Sequence, residues 1–190
     1  MTSHDSQNAK KMLRAKLSEA RITLAKDPNH PAGLAAELFA LTKALEAKII
    51  AAYLPFGTEP NIGGFVSGAS AHGLKLIMPV SNPDGSLHWI HYAGVSAPGI
   101  FGFDEPTGEP AELREAQLIL IPASAVDRAG NRLGKGKGFY DIALAPPEVN
   151  APVAAVVYEP EVLNGLPVED HDQPVDFIVT PFRTIAVGSR

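Results

Sequence analysis

The chain has 190 residues, 45% of them hydrophobic and 19% charged, with a formal net charge of −5. That balance suits a globular chain long enough for a sizeable core and excludes the low-hydrophobicity composition of a disordered one. An acidic total argues against nucleic acid as the main partner, and the lack of cysteine excludes disulfides, thiolate nucleophiles and cysteine zinc sites.

Residues 1–8 are polar and are expected to fray, leaving one domain over residues 9–190. The opening "MTSHDSQNAKK" has no apolar h-region, and no apolar run approaches the ~20 residues of a membrane span, so a cytoplasmic protein with no membrane partner is expected. From Asn8 to Ala25, Met12, Leu13, Leu17, Ala20 and Leu24 recur at helical spacing. Pro28 and Pro31 break that run. A second helix is expected over 31–47, with Leu34, Leu38, Leu41 and Leu45 on one stripe.

"KIIAAYLPF" then reads as a buried strand ended by proline, "GGFVSGASAHG" as a short helix stopping at Gly73, and "LKLIMPV" as a second strand. "LHWIHYA" alternates and is expected at a sheet edge, with Trp89 and Tyr92 as packing residues. "GVSAPGIFGFDEPTGEP" is dense in glycine and proline and reads as loop, with Glu105 in a structural turn. "AQLILIPAS" is a third core strand, followed by "NRLGKGKGFYDIAL" with a short helix at its end. "APVAAVVYEP" is a fourth core strand, and "FIVTPFRTIAV" supplies one or two more. Continuous apolar strands separated by helices predict an α/β fold, a three-layer α/β/α arrangement around a mostly parallel sheet. In such sheets ligands bind beyond the carboxyl ends of the strands. The segments "YLPFGTEPN", "IPASAVDRAGNRLGKGKG" and "VVYEPE" all begin there, so they are expected to share one rim.

The stretch Asn131–Leu144 sets Gly134, Gly136 and Gly138 among Arg132, Lys135 and Lys137. It is neither the dinucleotide fingerprint nor a P-loop. The physical logic is similar, because glycines let backbone N–H groups approach an anion and a helix start adds partial positive charge. A solvated surface turn is the alternative reading. Asp141, in the first helical turn, is either a cap or a ligand for Mg²⁺ bridging phosphate oxygens. Lys10 and Arg14 are four residues apart on one helical face, whereas Lys11, Lys16 and Arg21 are expected to point elsewhere.

Five blocks carry a family resemblance. They are Lys10-Lys11-Met12-Leu13-Arg14, Tyr53–Pro60, Gly102–Pro106, Asp127–Asp141 and Leu166–Thr180. In this order they resemble the 5-formyltetrahydrofolate cyclo-ligase family over nearly the whole chain. The resemblance implies Mg²⁺- and ATP-dependent closure of 5-formyltetrahydrofolate to 5,10-methenyltetrahydrofolate, and a monomer is expected. It implies an ATP site at Lys10, Lys11, Met12, Leu13 and Arg14 and at Arg132, Leu133, Gly134, Lys135, Gly136, Lys137, Gly138, Phe139 and Tyr140. Of these, Lys10, Arg14, Arg132 and Lys137 are the cations expected at the reacting phosphate. Phe56, Glu59 and Lys135 to Phe139 match positions facing the folate, and Asp141 and Asp172 match the metal positions. Ser124, Val126 and Ile142 depart from the family pattern and bear on pocket shape. A formyl-folate-sequestering protein and an ATP-dependent enzyme acting on another formylated amine are the alternatives.

Overall fold

A computed structural model describes residues 3–100, 102–145, 149–169 and 172–188. Helix α1 (Ser3–Leu24) starts ahead of the expected Asn8, and α2 (His30–Ala44) follows after a proline-containing turn. Strand β1 (Ile49–Ala51) leads to α3 (Gly63–Gly68) and a 3-10 turn at Ser70–His72, which stops at Gly73 as the sequence predicts. Next come β2 (Lys75–Ser81), β3 (Leu87–Pro98), β4 (Asp104–Ala111) and β5 (Leu118–Pro122). Beyond β5 the chain forms β6 (Ala125–Asp127), β7 (Arg132–Leu133) and the single turn α4 (Phe139–Ala143). It closes with β8 (Val153–Val156), β9 (Val162–Leu163), β10 (Phe177–Val179) and β11 (Thr184–Ala186).

The main sheet has the order β11-β10-β8-β5-β1-β2-β3-β4. The five strands from β10 to β2 are mutually parallel, and antiparallel strands extend both edges. One face buries Leu34, Leu38 and Leu41 of α2 and Phe65 of α3 against Ile50, Met78 and Leu120. Full burial of each such leucine contributes about 1.5–3 kcal/mol, so three of them suffice to dock α2. The opposite face buries Ile77, Trp89, Ile119, Ile121 and Ile178 under Leu113 and Leu144. The sheet is thus covered on both sides, which accounts for its unbroken apolar strands.

Two expectations need correction. "LHWIHYA" is not the edge: β3 lies between β2 and β4, and β4 forms within the stretch read as loop. β4 contains Pro106 and Pro110, which an interior strand would not tolerate but an edge strand does, because one side of its backbone needs no partner. A second sheet, β7-β6-β9, was also not anticipated; strands of two or three residues leave no periodicity to read. It matters because Ala125 and Leu133 from this sheet pack on Leu17 and so seat α1 beside the segment that follows β7.

Candidate active site

Strand β1 pairs with β2 on one side and β5 on the other, so chain direction across the sheet reverses there. A crevice is expected at such a point, and a cleft of about 790 Å³ opens there. The loop after β1 contributes Tyr53, Phe56 and Glu59, and the segment after β5 contributes Pro122, Ala123 and residues 132–141. The turn after β8 joins them through the Tyr158 hydroxyl, which donates to Glu59 O at 3.3 Å. The three loops therefore meet on one rim, as the sequence predicts.

Asp127 organises the segment that enters the cleft. Its Oδ1 accepts from the backbone N–H groups of Ala129 and Asn131, each at 3.0 Å, and its Oδ2 from Asn131 Nδ2 at 2.9 Å and Leu166 N at 3.1 Å. This closes the turn between β6 and β7 and sends Arg132 inward. Gly136 and Gly138 have φ of 92° and 74°, a region L side chains rarely adopt. At Gly136 the missing side chain also makes room for the Arg14 guanidinium, which a Cβ would meet at 3.4 Å. Arg14 Nε donates to Gly134 O at 2.8 Å. Among the described residues Arg14 pairs with no carboxylate, so its charge is open to an anion in the cleft.

The other cations are more engaged. Lys10, only 4% exposed, donates to Glu169 Oε2 at 2.7 Å and Asp172 Oδ2 at 2.6 Å. Burial pulls its pKa down, but the hydrogen bonds and charges of Asp172 and Glu169 outweigh this and hold it above the ordinary 10.5. Arg132 is buried; its Nε donates to Gln173 O at 3.0 Å and its Nη2 to Asp141 Oδ1 at 2.6 Å. Lys135 Nζ lies 2.7 Å from Glu59 Oε1 and 5.6 Å from the Phe56 ring centre. Lys137 is exposed, and its ammonium sits 5.7 Å from the Phe139 ring centre.

α4 is one turn long, so few peptide dipoles align in it and the side-chain cations carry the positive charge. Asp141 makes no cap; it turns to Arg132. Its Oδ2 meets no protein donor among the described residues and remains open to a cation. Asp141 and Asp172 both line the cleft and offer hard oxygen ligands of the kind Mg²⁺ takes. No group of three or more such side chains stands ready to hold a metal among the described residues. Mg²⁺ typically completes its shell with substrate phosphates and water, so the donor set fits that ion together with a polyphosphate.

Tyr140 is half-buried and lines the cleft. Burial raises its pKa, the Glu59 charge adds to that, and Arg132 opposes it. Phe56 is 48% exposed and contacts Phe103 at 4.6 Å between ring centres; it forms part of the cleft wall rather than core. Glu59 Oε2 accepts from Phe56 N at 2.9 Å, so Glu59 also shapes its own turn.

Not every expected residue reaches the cleft. Met12 is 75% exposed and Leu13 packs against Leu17 and the small sheet; neither lines it, although Lys11 does. Residues the sequence reading set aside do reach it. Arg21 is buried on the same α1 face as Lys10 and Arg14, and it lines the cleft floor. Its Nη2 donates to Glu161 Oε2 at 2.7 Å and to Ala123 O, and its Nε also donates to Glu161. The spacing 10, 14, 21 is four and then seven residues, one stripe of a helix, and that signal was present in the sequence. Glu105 also lines the cleft, from the β3–β4 arm.

A model of the 5-formyltetrahydrofolate cyclo-ligase family matches residues 6–181. A 5-formyltetrahydrofolate cyclo-ligase of Mycolicibacterium smegmatis is 37% identical over 150 residues, covering 74% of this chain and 77% of its own. An NMR structure of the 5,10-methenyltetrahydrofolate synthetase of Aquifex aeolicus matches with a TM-score of 0.81 at 27% identity, over 95% of this chain and 94% of that one. A 5,10-methenyltetrahydrofolate synthetase structure from Mycoplasma pneumoniae shares the fold, with a TM-score of 0.72 at 22% identity over 90% and 98% of the two chains. The chain belongs to the 5-formyltetrahydrofolate cyclo-ligase family and is an enzyme of the cyclo-ligase class.

Proposed function

We propose that this enzyme closes 5-formyltetrahydrofolate to 5,10-methenyltetrahydrofolate with ATP and Mg²⁺, acting as a cytoplasmic monomer built as one domain. The observation that supports this most is the Arg14 guanidinium, which pairs with no carboxylate among the described residues and is set against Gly136 in a cleft that also holds Lys10, Arg132, Lys137 and Asp141. A binder that only sequestered folate would have no use for that arrangement.

The formyl oxygen attacks the γ-phosphorus of ATP, and the bond from that phosphorus to the β–γ bridging oxygen breaks to release ADP. The resulting imidate phosphate is attacked at carbon by N10. The carbon–oxygen bond then breaks, phosphate leaves, and the N10 proton passes to phosphate or solvent. An amide oxygen is a weak nucleophile, so alignment supplies much of the acceleration. Arg14, Lys10, Arg132 and Lys137 orient the triphosphate and offset charge as the phosphoryl group moves. Backbone N–H groups of 134–138 add donors that need no reorganisation. Asp141 and Asp172 would hold Mg²⁺, which when bound supplies further positive charge to the phosphate oxygens. Phe56 and Phe103 offer apolar surface to the folate ring, with Glu59 beside them as a hydrogen-bond acceptor. No protein nucleophile takes part.

Mixing the enzyme with 5-formyltetrahydrofolate and Mg-ATP should produce methenyltetrahydrofolate absorbance together with one ADP per ring closed. Folate binding with no ADP release would instead support sequestration, and ADP release only with another formylated amine would move the assignment to that substrate.

A further inference from the structure

We propose that Glu105 is a substrate-binding residue whose Oε2 accepts a hydrogen bond from the 2-amino N–H of the pterin ring; this rests on the folate reading above. Glu105 lines the cleft yet is only 8% exposed. Its Oε1 accepts from Ser81 N at 2.9 Å, which ties the β3–β4 arm back to the end of β2. Its Oε2 has no donor among the described residues. A buried carboxylate oxygen without a donor is costly, so on a residue that lines a binding cleft it marks the place where a ligand donor arrives.

Glu59, beside the Phe56–Phe103 pair, already holds one donor on each oxygen, Lys135 on Oε1 and Phe56 N on Oε2, whereas Glu105 Oε2 holds none among the described residues. The aminopyrimidinone edge of a pterin presents its donors in the ring plane, and a ring lying against Phe56 and Phe103 brings that edge to the arm that carries Glu105. The chain makes room for this carboxylate: a Cβ on Gly99 would overlap Glu105 Oε2 and Cγ, so only glycine leaves that oxygen in place.

The test combines two variants with a modified substrate. Glu105→Gln keeps an acceptor for Ser81 N but turns a donor toward the ring; Gly99→Ala displaces the carboxylate without altering it. Both should raise the KM for 5-formyltetrahydrofolate by about tenfold or more while the KM for ATP stays within about twofold. With the analogue in which methyl replaces the 2-amino group, wild type and Glu105→Gln should bind equally. An unchanged folate KM in Glu105→Gln, or an equal penalty on folate and analogue, overturns the proposal and leaves the cyclo-ligase reading intact. Wild-type enzyme that fails to bind 5-formyltetrahydrofolate overturns both. If the variants do not fold, the bound wild-type complex decides. A nuclear Overhauser effect from the 2-amino protons of ¹⁵N-labelled ligand to Glu105 Hγ supports the contact, and its absence when those protons are observed excludes it.

Discussion

Lys10 is a buried ammonium whose pKa is raised by Asp172 and Glu169 despite the opposing effect of burial. A lysine with a folded pKa above its unfolded value contributes stability that is complete below about pH 10 and is lost as pH rises through the folded value. Burial raises the pKa of Tyr53 and Tyr140 as well, which acts in the same direction. The thermal midpoint should hold level from pH 7 to about 9.5 and decline above about 10.5, less steeply in Lys10→Met. A midpoint still level at about pH 11.5 would contradict the assigned protonation states. Asp141→Asn keeps an oxygen for Arg132 but removes the negative charge, so turnover should fall by about a hundredfold or more, and the midpoint should drop as well because the buried Arg132 loses its counter-charge. Full activity in that variant would remove Asp141 from the metal position. At this scale the sequence showed Lys10, Arg14, Arg132 and Asp141 through their motif blocks. It did not show that Lys10 is held by carboxylates about 160 residues away or that Arg132 pairs with Asp141, because those pairings exist only once the fold brings residues 141, 169 and 172 to the cleft.

Helix α1 shows why periodicity misled at the scale of an element. Its apolar residues follow helical spacing, yet it buries Lys10, Leu17 and Arg21 and exposes Met12, because its inner face meets a polar cleft instead of the main core. The Arg21–Glu161 pair fixes this helix to the 3-10 turn Glu159–Glu161 after β8. Glu161→Gln leaves a buried guanidinium without its counter-charge and should cost about 3–5 kcal/mol, read by urea denaturation. The double variant Arg21→Met/Glu161→Leu should recover most of that loss, since paired apolar replacements avoid the uncompensated charge. A single variant as stable as wild type would show that α1 docks by other contacts. The β3–β4 arm was illegible for a related reason: its glycines and prolines obey loop statistics, while edge position and pairing with β3 make it a strand.

For the whole molecule, the parallel core and its covering helices were legible, because "KIIAAYLPF", "LKLIMPV", "AQLILIPAS" and "APVAAVVYEP" are buried on both faces and carry no alternation. Strand order was not in the sequence. It follows from β1 lying between β2 and β5, and this reversal sets the cleft where α1, the glycine-rich segment and the β3–β4 arm meet. No helix among the described residues is long and apolar enough to cross a membrane. Family membership makes the chain a cyclo-ligase, the cleft supports the proposed use of ATP, and one measurement tests that proposal most directly. Purified enzyme is given 5-formyltetrahydrofolate and Mg²⁺, with and without ATP, while methenyltetrahydrofolate absorbance is followed. The account predicts that absorbance rises only when ATP is present and that ADP appears in equal amount. No rise at saturating ATP, or the same rise without it, would contradict the account.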